Sequence, residues 1–68
     1  MTSAHAWRMT DGSVVSCRDK LAVLEENAAE LRDVMQAMFE DAVLMGVDET
    51  QMREVLTNMV TALENPKR

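Results

Sequence analysis

Few residues in this 68-residue chain have side chains suited to catalysis or metal binding. Cys17 is its only cysteine and His5 its only histidine. A protein zinc site normally takes four nitrogen, sulfur or carboxylate ligands, and Ser/His/Asp catalysis needs a histidine that a rigid scaffold positions. We therefore expect no catalytic site, no metal site and no cofactor, and we expect that the chain is not an enzyme.

Two interpretations of Cys17 stay open. It precedes Arg18 at the predicted start of a helix, where the helix N-terminus and nearby cations lower the pKa of a thiol and make it reactive. The alternative is a small, partly buried residue with no chemical role. The second interpretation is favoured, because neither a histidine nor another cysteine lies near Cys17 in the sequence.

The acidic residues Glu26, Asp33 and Glu40 recur every seven positions and therefore share one side of a helix. Metal sites in helical bundles use carboxylates that point inward, usually with a Glu-x-x-His pair, and that pair is missing. We therefore interpret these three residues as a solvated acidic ridge.

A long run of apolar residues has the spacing of a helix that packs against a neighbour. Ser16 and Asp19 resemble an N-cap and its third position, so we predict a long helix over about residues 17–45. Separations of three and four residues alternate along it, the pattern of a coiled-coil seam. The seam consists of Leu21, Leu24, Ala28, Leu31, Met35, Met38, Ala42 and Met45.

A short connection then leads into a second helix. Gly46 is a helix-ending glycine, Val47 supplies the apolar residue that often follows it, and Asp48 is a good N-cap. The second helix is predicted over about residues 49–64, since the residue before Pro66 disfavours helical geometry. So short a link predicts an antiparallel helical hairpin and an all-α fold.

The N-terminal residues have a different composition, and we divide the chain accordingly. Residues 1–15 form an N-terminal arm, either a short β-hairpin across the turn signal Asp11-Gly12 or a disordered segment. Residues 16–64 form the helical hairpin domain, and residues 65–68 form a C-terminal tail.

The two predicted helices differ in length, and this difference predicts a further packing partner. At 1.5 Å per residue the first spans about 43 Å and the second about 24 Å, so the N-terminal half of the seam needs another cover. We favour a homodimer that forms a four-helix bundle, because a domain of this size is marginal alone. In the alternative, the arm folds back and lays Trp7, Met9, Val14 and Val15 over the seam.

Surplus apolar helix surface suggests how the chain functions. We predict a small protein–protein interaction module (an adaptor, assembly factor or regulator) that forms a homodimer and binds a protein partner. Methionine suits adaptable binding surfaces, although it fills cores more often. The predicted interaction and dimer surface comprises Trp7, Leu21, Leu24, Ala28, Leu31, Met35 and Met38.

A dimeric helical nucleic-acid-binding regulator is the alternative function, in which two chains would bring their Arg18 and Lys20 side chains together. The net charge of -5 argues against this role and against an anionic membrane. No stretch approaches the ~18 consecutive apolar residues of a membrane helix. The single thiol and the absence of a signal-peptide pattern predict a cytoplasmic location.

Overall fold

The computed structural model describes residues 5–67, and this part of the chain is all-helical, with two α-helices and no strands. Helix α1 spans Arg18–Leu44 and helix α2 spans Glu49–Thr61. The predicted all-α class with two helices is therefore confirmed. Within residues 5–67, neither helix is long and apolar enough to cross a membrane.

The chain divides into two compact units, Met1–Val34 and Met35–Arg68. The first contains the residues before α1 and the first part of that helix. The second contains the rest of α1, the connection and α2. The predicted arm, hairpin domain and tail stay a prediction, and their residues 1–4 and 68 lie outside the described residues.

In the first unit, a tight turn at residues 9–13 reverses the chain before α1. The Met9 N–H donates to the Ser13 carbonyl (2.8 Å), and the Gly12 N–H donates to the Met9 carbonyl (3.0 Å). Gly12 has φ +90°, the left-handed conformation that closes a three-residue hairpin loop. The Asp11 carboxylate accepts hydrogen bonds from the N–H and the hydroxyl of Ser13 (2.9 and 2.6 Å) and fixes this turn.

The residues on either side of the turn pair too briefly to form strands. Arg8 and Val14 make an isolated antiparallel bridge, and the Val15 N–H donates to the Trp7 carbonyl (2.9 Å). Neighbouring residues of an extended chain point to opposite sides, and accordingly Val15 is buried whereas Val14 is exposed. The inclusion of Val14 in the apolar cover is therefore wrong.

Helix α1 begins one residue later than a cap at Ser16 requires. The Leu21 N–H donates to the Cys17 carbonyl (3.0 Å), and Arg18 is the first helical residue. Because the carbonyl of an N-cap residue accepts the first bond of the helix, Cys17 occupies that position. The prediction of Ser16 as the N-cap is wrong by one residue.

In the second unit, α1 ends at a Schellman motif. The Gly46 N–H donates to the Val43 carbonyl (3.0 Å), and the Val47 N–H donates to the Ala42 carbonyl (2.9 Å). Gly46 has φ +92°, which is the left-handed conformation that this motif needs. Two of the last carbonyl groups of α1 are thereby satisfied before the chain reaches α2.

Helix α2 has a side-chain cap at its start and ends earlier than predicted. The Asp48 carboxylate accepts a hydrogen bond from the Gln51 N–H (2.9 Å), so Asp48 is the N-cap. At the other end, the Leu63 N–H donates to the Val60 carbonyl (3.2 Å), which tightens the chain after Thr61. The predicted extension to residue 64 is wrong, because the exposed Leu63 side chain has little apolar packing to hold another turn.

The apolar core is small for a chain of this length. Among the described residues, only Val15 in the first unit and Ala42 and Met52 in the second are buried. Among the large apolar side chains of the described residues, Leu31, Val34, Met59 and Leu63 are each more than half exposed. Much of the apolar surface therefore stays in contact with water.

Candidate interaction surface

An open groove lies between the N-terminal turn and the start of α1, all within the first unit. Its volume is about 550 Å³. Apolar side chains form most of its wall, and three charged residues contribute to the lining. The lining residues are Trp7, Arg8, Met9, Val15, Asp19, Lys20, Val23 and Leu24. A groove of this size and composition suits an apolar side chain of another protein.

The Trp7 ring is held at the groove by polar and aromatic contacts. Its indole Nε1 donates a hydrogen bond to Oε1 of Glu25 (2.6 Å). The His5 ring meets it edge to face, with centroids 5.2 Å apart. Tryptophan commonly combines an apolar ring with one hydrogen-bonded end in this way. Trp7 was among the predicted surface residues, but Glu25 was not. The position of Glu25 next to the seam residue Leu24 could have indicated that its side chain lies at the edge of this surface.

The predicted seam residues of the first unit differ in how far they are covered. Leu21, Leu24 and Ala28 are half-buried, while Leu31 is exposed. Val34, which the predicted surface did not include, is 65% exposed. The burial of these side chains therefore decreases from Leu21 toward Val34. Leu31 and Val34 form exposed apolar surface on α1.

The second unit also leaves apolar residues of α1 exposed. Met35 is half-buried and Met38 is exposed. Met45 is 76% exposed and continues the helical hydrogen bonding, since its N–H donates to the Asp41 carbonyl (3.0 Å). Met45 belongs to the predicted seam, but it was not included in the predicted interaction surface.

One set of exposed apolar residues, three on α1 and one directly after it, has a regular spacing. Leu31, Val34, Met38 and Met45 are separated by three, four and seven residues, which puts them on one side of an α-helix. We call these four residues the α1 stripe. The structure thus brings Trp7 and Leu24 together at the groove and leaves Leu31 and Met38 in the stripe.

The apolar face of α2 is only partly packed. Met52 is 5% exposed and Val55 and Leu56 are half-buried, whereas Met59 is 55% exposed. Seven residues separate the two methionines, so they lie on the same side of α2. Packing within the second unit therefore secures the first turns of α2 more than its last turns.

A smaller hollow of about 250 Å³ lies in the second unit beside Phe39 and Glu49. The Arg53 guanidinium lies 4.7 Å from the centroid of the Phe39 ring, and its Nε is 3.6 Å from a Glu49 carboxylate oxygen. Both side chains of that ion pair are largely exposed, so it contributes little to stability. The Arg53–Phe39 contact is therefore the one of the two that joins α2 to α1 within this unit.

Cys17 is exposed at the N-terminus of α1, not partly buried as the favoured interpretation required. Hydrogen bonds from the backbone N–H groups, Lys20 first and Asp19 second, lower the pKa of its thiol, and the charge of Lys20 lowers it further. The position thus has the electrostatics of a reactive thiol. The described residues contain no group of three or more His, Cys, Asp or Glu side chains arranged to hold a metal ion.

Charge is distributed unevenly along the chain. Glu26, Asp33 and Glu40 are exposed, as a solvated ridge requires. Residues 1–24 carry three basic and two acidic side chains, whereas residues 25–68 carry four basic and ten acidic ones. The groove region is therefore weakly basic, and the remainder of the chain is strongly acidic.

Comparison of the chain with protein-family models, with curated protein sequences and with solved structures finds no match.

Proposed function

We propose that this chain is a protein–protein interaction module that functions as a homodimer, with a cytoplasmic location as the lone cysteine favours. The observation that carries the proposal is the imbalance between core and surface. Three apolar residues are buried among those described, while the groove, the α1 stripe and the end of α2 remain open to water. Exposed apolar surface of this extent marks an interaction site.

The distribution of exposed apolar residues supports self-association. Both helices have large apolar side chains that are more than half exposed, among them Leu31 and Val34 on α1 and Met59 and Val60 on α2. A standard interface buries about 800 Å² on each partner. A helical dimer, with four helices packed as a bundle, would cover part of this apolar surface and would leave part of it for another protein.

The chemistry of the exposed residues supports binding to protein helices. Met38, Met45 and Met59 are all exposed, and methionine side chains adapt to differently shaped partners. Amphipathic helices bind in apolar grooves through residues spaced as in the α1 stripe. An adaptor, assembly factor or regulator would use such a surface without performing chemistry.

Light scattering across protein concentrations tests the homodimer directly. We expect the full chain to have twice its mass of 7.6 kDa at micromolar concentrations. Val34→Glu puts a charge into the α1 stripe and should shift the protein toward monomer. Ala37→Glu is the matched control, because it adds the same charge at an exposed position of α1 beside Asp33 and Glu40.

The homodimer would be overturned if the wild-type chain stayed monomeric up to about 500 μM. Even weak dimers of ~100 μM Kd form at that concentration.

The interaction role is tested by affinity capture with the wild type and with both variants. A partner that binds the wild type and Ala37→Glu but not Val34→Glu supports the role. The absence of any such partner, together with a dimer that protects all of the α1 stripe from solvent, would refute it.

A further inference from the structure

We propose that the hollow beside Phe39 in the second unit binds an arginine side chain on an amphipathic helix of a protein partner. This inference rests on the proposed interaction role and names the chemistry of the partner. The hollow has a volume of about 250 Å³, below the ~300–1,000 Å³ of pockets for cofactors and drug-sized ligands. One large side chain of another protein suits this size. The lining residues are Gln36, Phe39, Glu40, Val43, Leu44 and Glu49.

The lining combines apolar surface with two carboxylates. Phe39, Val43 and Leu44 supply the apolar wall, and Leu44 is 84% exposed. Glu40 on α1 and Glu49 on α2 bring negative charge to the same hollow. An arginine side chain has an apolar stem and a charged, planar end. Its stem therefore matches the wall, and its guanidinium matches the carboxylates.

Arg53 of the chain itself shows that two of the lining residues hold a guanidinium. Its guanidinium carbon lies 4.7 Å from the centroid of the Phe39 ring, and its Nε lies 3.6 Å from a Glu49 carboxylate oxygen. Guanidinium groups stack on aromatic rings and pair with carboxylates in this way. The Arg53 side chain is 66% exposed. Because an exposed ion pair contributes little to stability, a partner's arginine can displace Arg53 at low cost.

Charge in the second unit favours a basic partner over a second copy of this chain. Among residues 35–67, six side chains are acidic and two are basic, and all eight are exposed. A positively charged helix is therefore attracted to this unit. Residues 1–34 carry six acidic and four basic side chains, so either unit of a second copy would approach with like charge. The eight residues are Glu40, Asp41, Asp48, Glu49, Glu54 and Glu64, with Arg53 and Lys67.

A labelled synthetic peptide tests the binding in the full-length chain. The probe is a fluorescein-labelled amphipathic helix of about 18 residues, or about 27 Å, with leucines spaced by three and four and arginines beside them. The control peptide has glutamate at every arginine position. Fluorescence anisotropy at about 0.15 M salt, where separated charges are screened, should show at least about tenfold tighter binding of the arginine peptide. Equal affinities for the two peptides would overturn the inference.

Neutral substitutions at the hollow locate the bound peptide. We expect Glu40→Gln and Glu49→Gln each to weaken binding of the arginine peptide about two- to fivefold, as for an exposed ion pair. The matched controls Glu54→Gln and Glu64→Gln remove the same charge from exposed positions that do not line the hollow. They should change the affinity less than about twofold at this salt concentration. Equal losses for all four variants would show attraction to the overall charge alone and would overturn the inference.

Replacement of Arg53 should have the opposite effect. Arg53→Gln removes the guanidinium that competes for Phe39 and Glu49, so it should tighten binding of the arginine peptide about two- to fivefold. Lys67→Gln is the control, because it removes the same charge from an exposed position outside the lining of the hollow. Equal effects of these two variants would contradict the competition and overturn the proposed position of the bound arginine.

Failure of this inference is distinguishable from failure of the interaction role. A captured partner that depends on Val34 but not on Glu40 or Glu49 would overturn the inference and leave the interaction role intact. If Glu49→Gln weakens the dimer in light scattering and the arginine peptide does not bind, the occupant is a second copy and the inference is wrong. The two peptides are compared on the unmodified chain, so this test remains even if a variant fails to fold.

Discussion

The two methionines on one side of α2 provide a strict test of the packing. Met52 is 5% exposed and Met59 is 55% exposed. Met52→Ala and Met59→Ala are the same substitution in the same helix, so they change the helix propensity equally. Any difference between the two variants therefore measures the packing around the side chains.

The structure sets the size of the expected difference. Replacing a buried methionine by alanine costs about 2–5 kcal/mol, from lost burial and from the cavity that remains. For Met52 we expect about 3 kcal/mol, a large part of the ~3–10 kcal/mol that stabilises a domain of this length. Met59 loses less apolar contact and leaves an open site with no cavity, so its cost within one chain should be about 1 kcal/mol or less.

Urea and thermal denaturation, both followed by circular dichroism, measure the two variants at several matched protein concentrations. A loss of 3 kcal/mol corresponds to a fall in Tm of about 12–24 °C, so the Met52→Ala variant should be far less stable. Contact of Met59 with a second copy would add a loss that grows with protein concentration. Equal losses for the two variants at every concentration would refute the packing described for α2.

Three further measurements test local features. Gly46→Ala should cost about 1–2 kcal/mol in thermal unfolding, because its φ of +92° disfavours a side chain although nothing lies within 4 Å of the added Cβ; an unchanged Tm would contradict this conformation. Alkylation rates should show that the pKa of the Cys17 thiol is below the ordinary ~8.5, because backbone N–H groups, that of Lys20 first, bond to the sulfur; a midpoint at or above 8.5 would be contrary evidence. Carboxyl NMR should show that the pKa of Asp11 is below its usual ~3.9, since the Ser13 hydroxyl and N–H bond to it, and Ser13→Ala should raise it. The stabilisation from that depressed pKa is complete above about pH 4 and is lost as pH falls through the folded-state value; an Asp11 titration that Ser13→Ala leaves unchanged would refute the assignment.

The connection between the helices was predictable because its causes are local. Gly46 adopts a backbone conformation that few other residues adopt, and Asp48 has a side chain suited to the free N–H groups of the next helix. Neither effect depends on residues distant in the sequence. The type and order of the two helices could accordingly be predicted from residue spacing and caps.

Helix ends that depend on distant packing could not be predicted in the same way. Pro66 limits how far α2 can extend, but the helix already stops at Thr61, and Leu63 beyond it is exposed. At the start of α1, Ser16 and Cys17 compete for the cap, and the first helical hydrogen bond selects Cys17. Residue preference favours serine there, so local preference alone gives the wrong residue.

Residue spacing predicts which residues share a face of α1, but not which residues of that face are covered. The apolar spacing does not distinguish Leu24 from Leu31, yet Leu24 lines the groove and Leu31 is exposed. The difference arises from Trp7, whose contact with Glu25 joins residues eighteen positions apart. Such a contact leaves no signal in the spacing of apolar residues, and it determines which part of the helix is covered.

The Trp7–Glu25 contact also makes the chain its own optical probe. Trp7 is the only tryptophan, and the chain has no tyrosine, so emission excited at 295 nm comes from a single ring at the groove. Far-ultraviolet circular dichroism, by contrast, reports mainly α1 and α2. In the unmodified protein, tryptophan emission thus reports the separation of the turn from α1, and circular dichroism reports the unfolding of the helices. A ligand in the groove would shift the tryptophan emission without changing the circular dichroism.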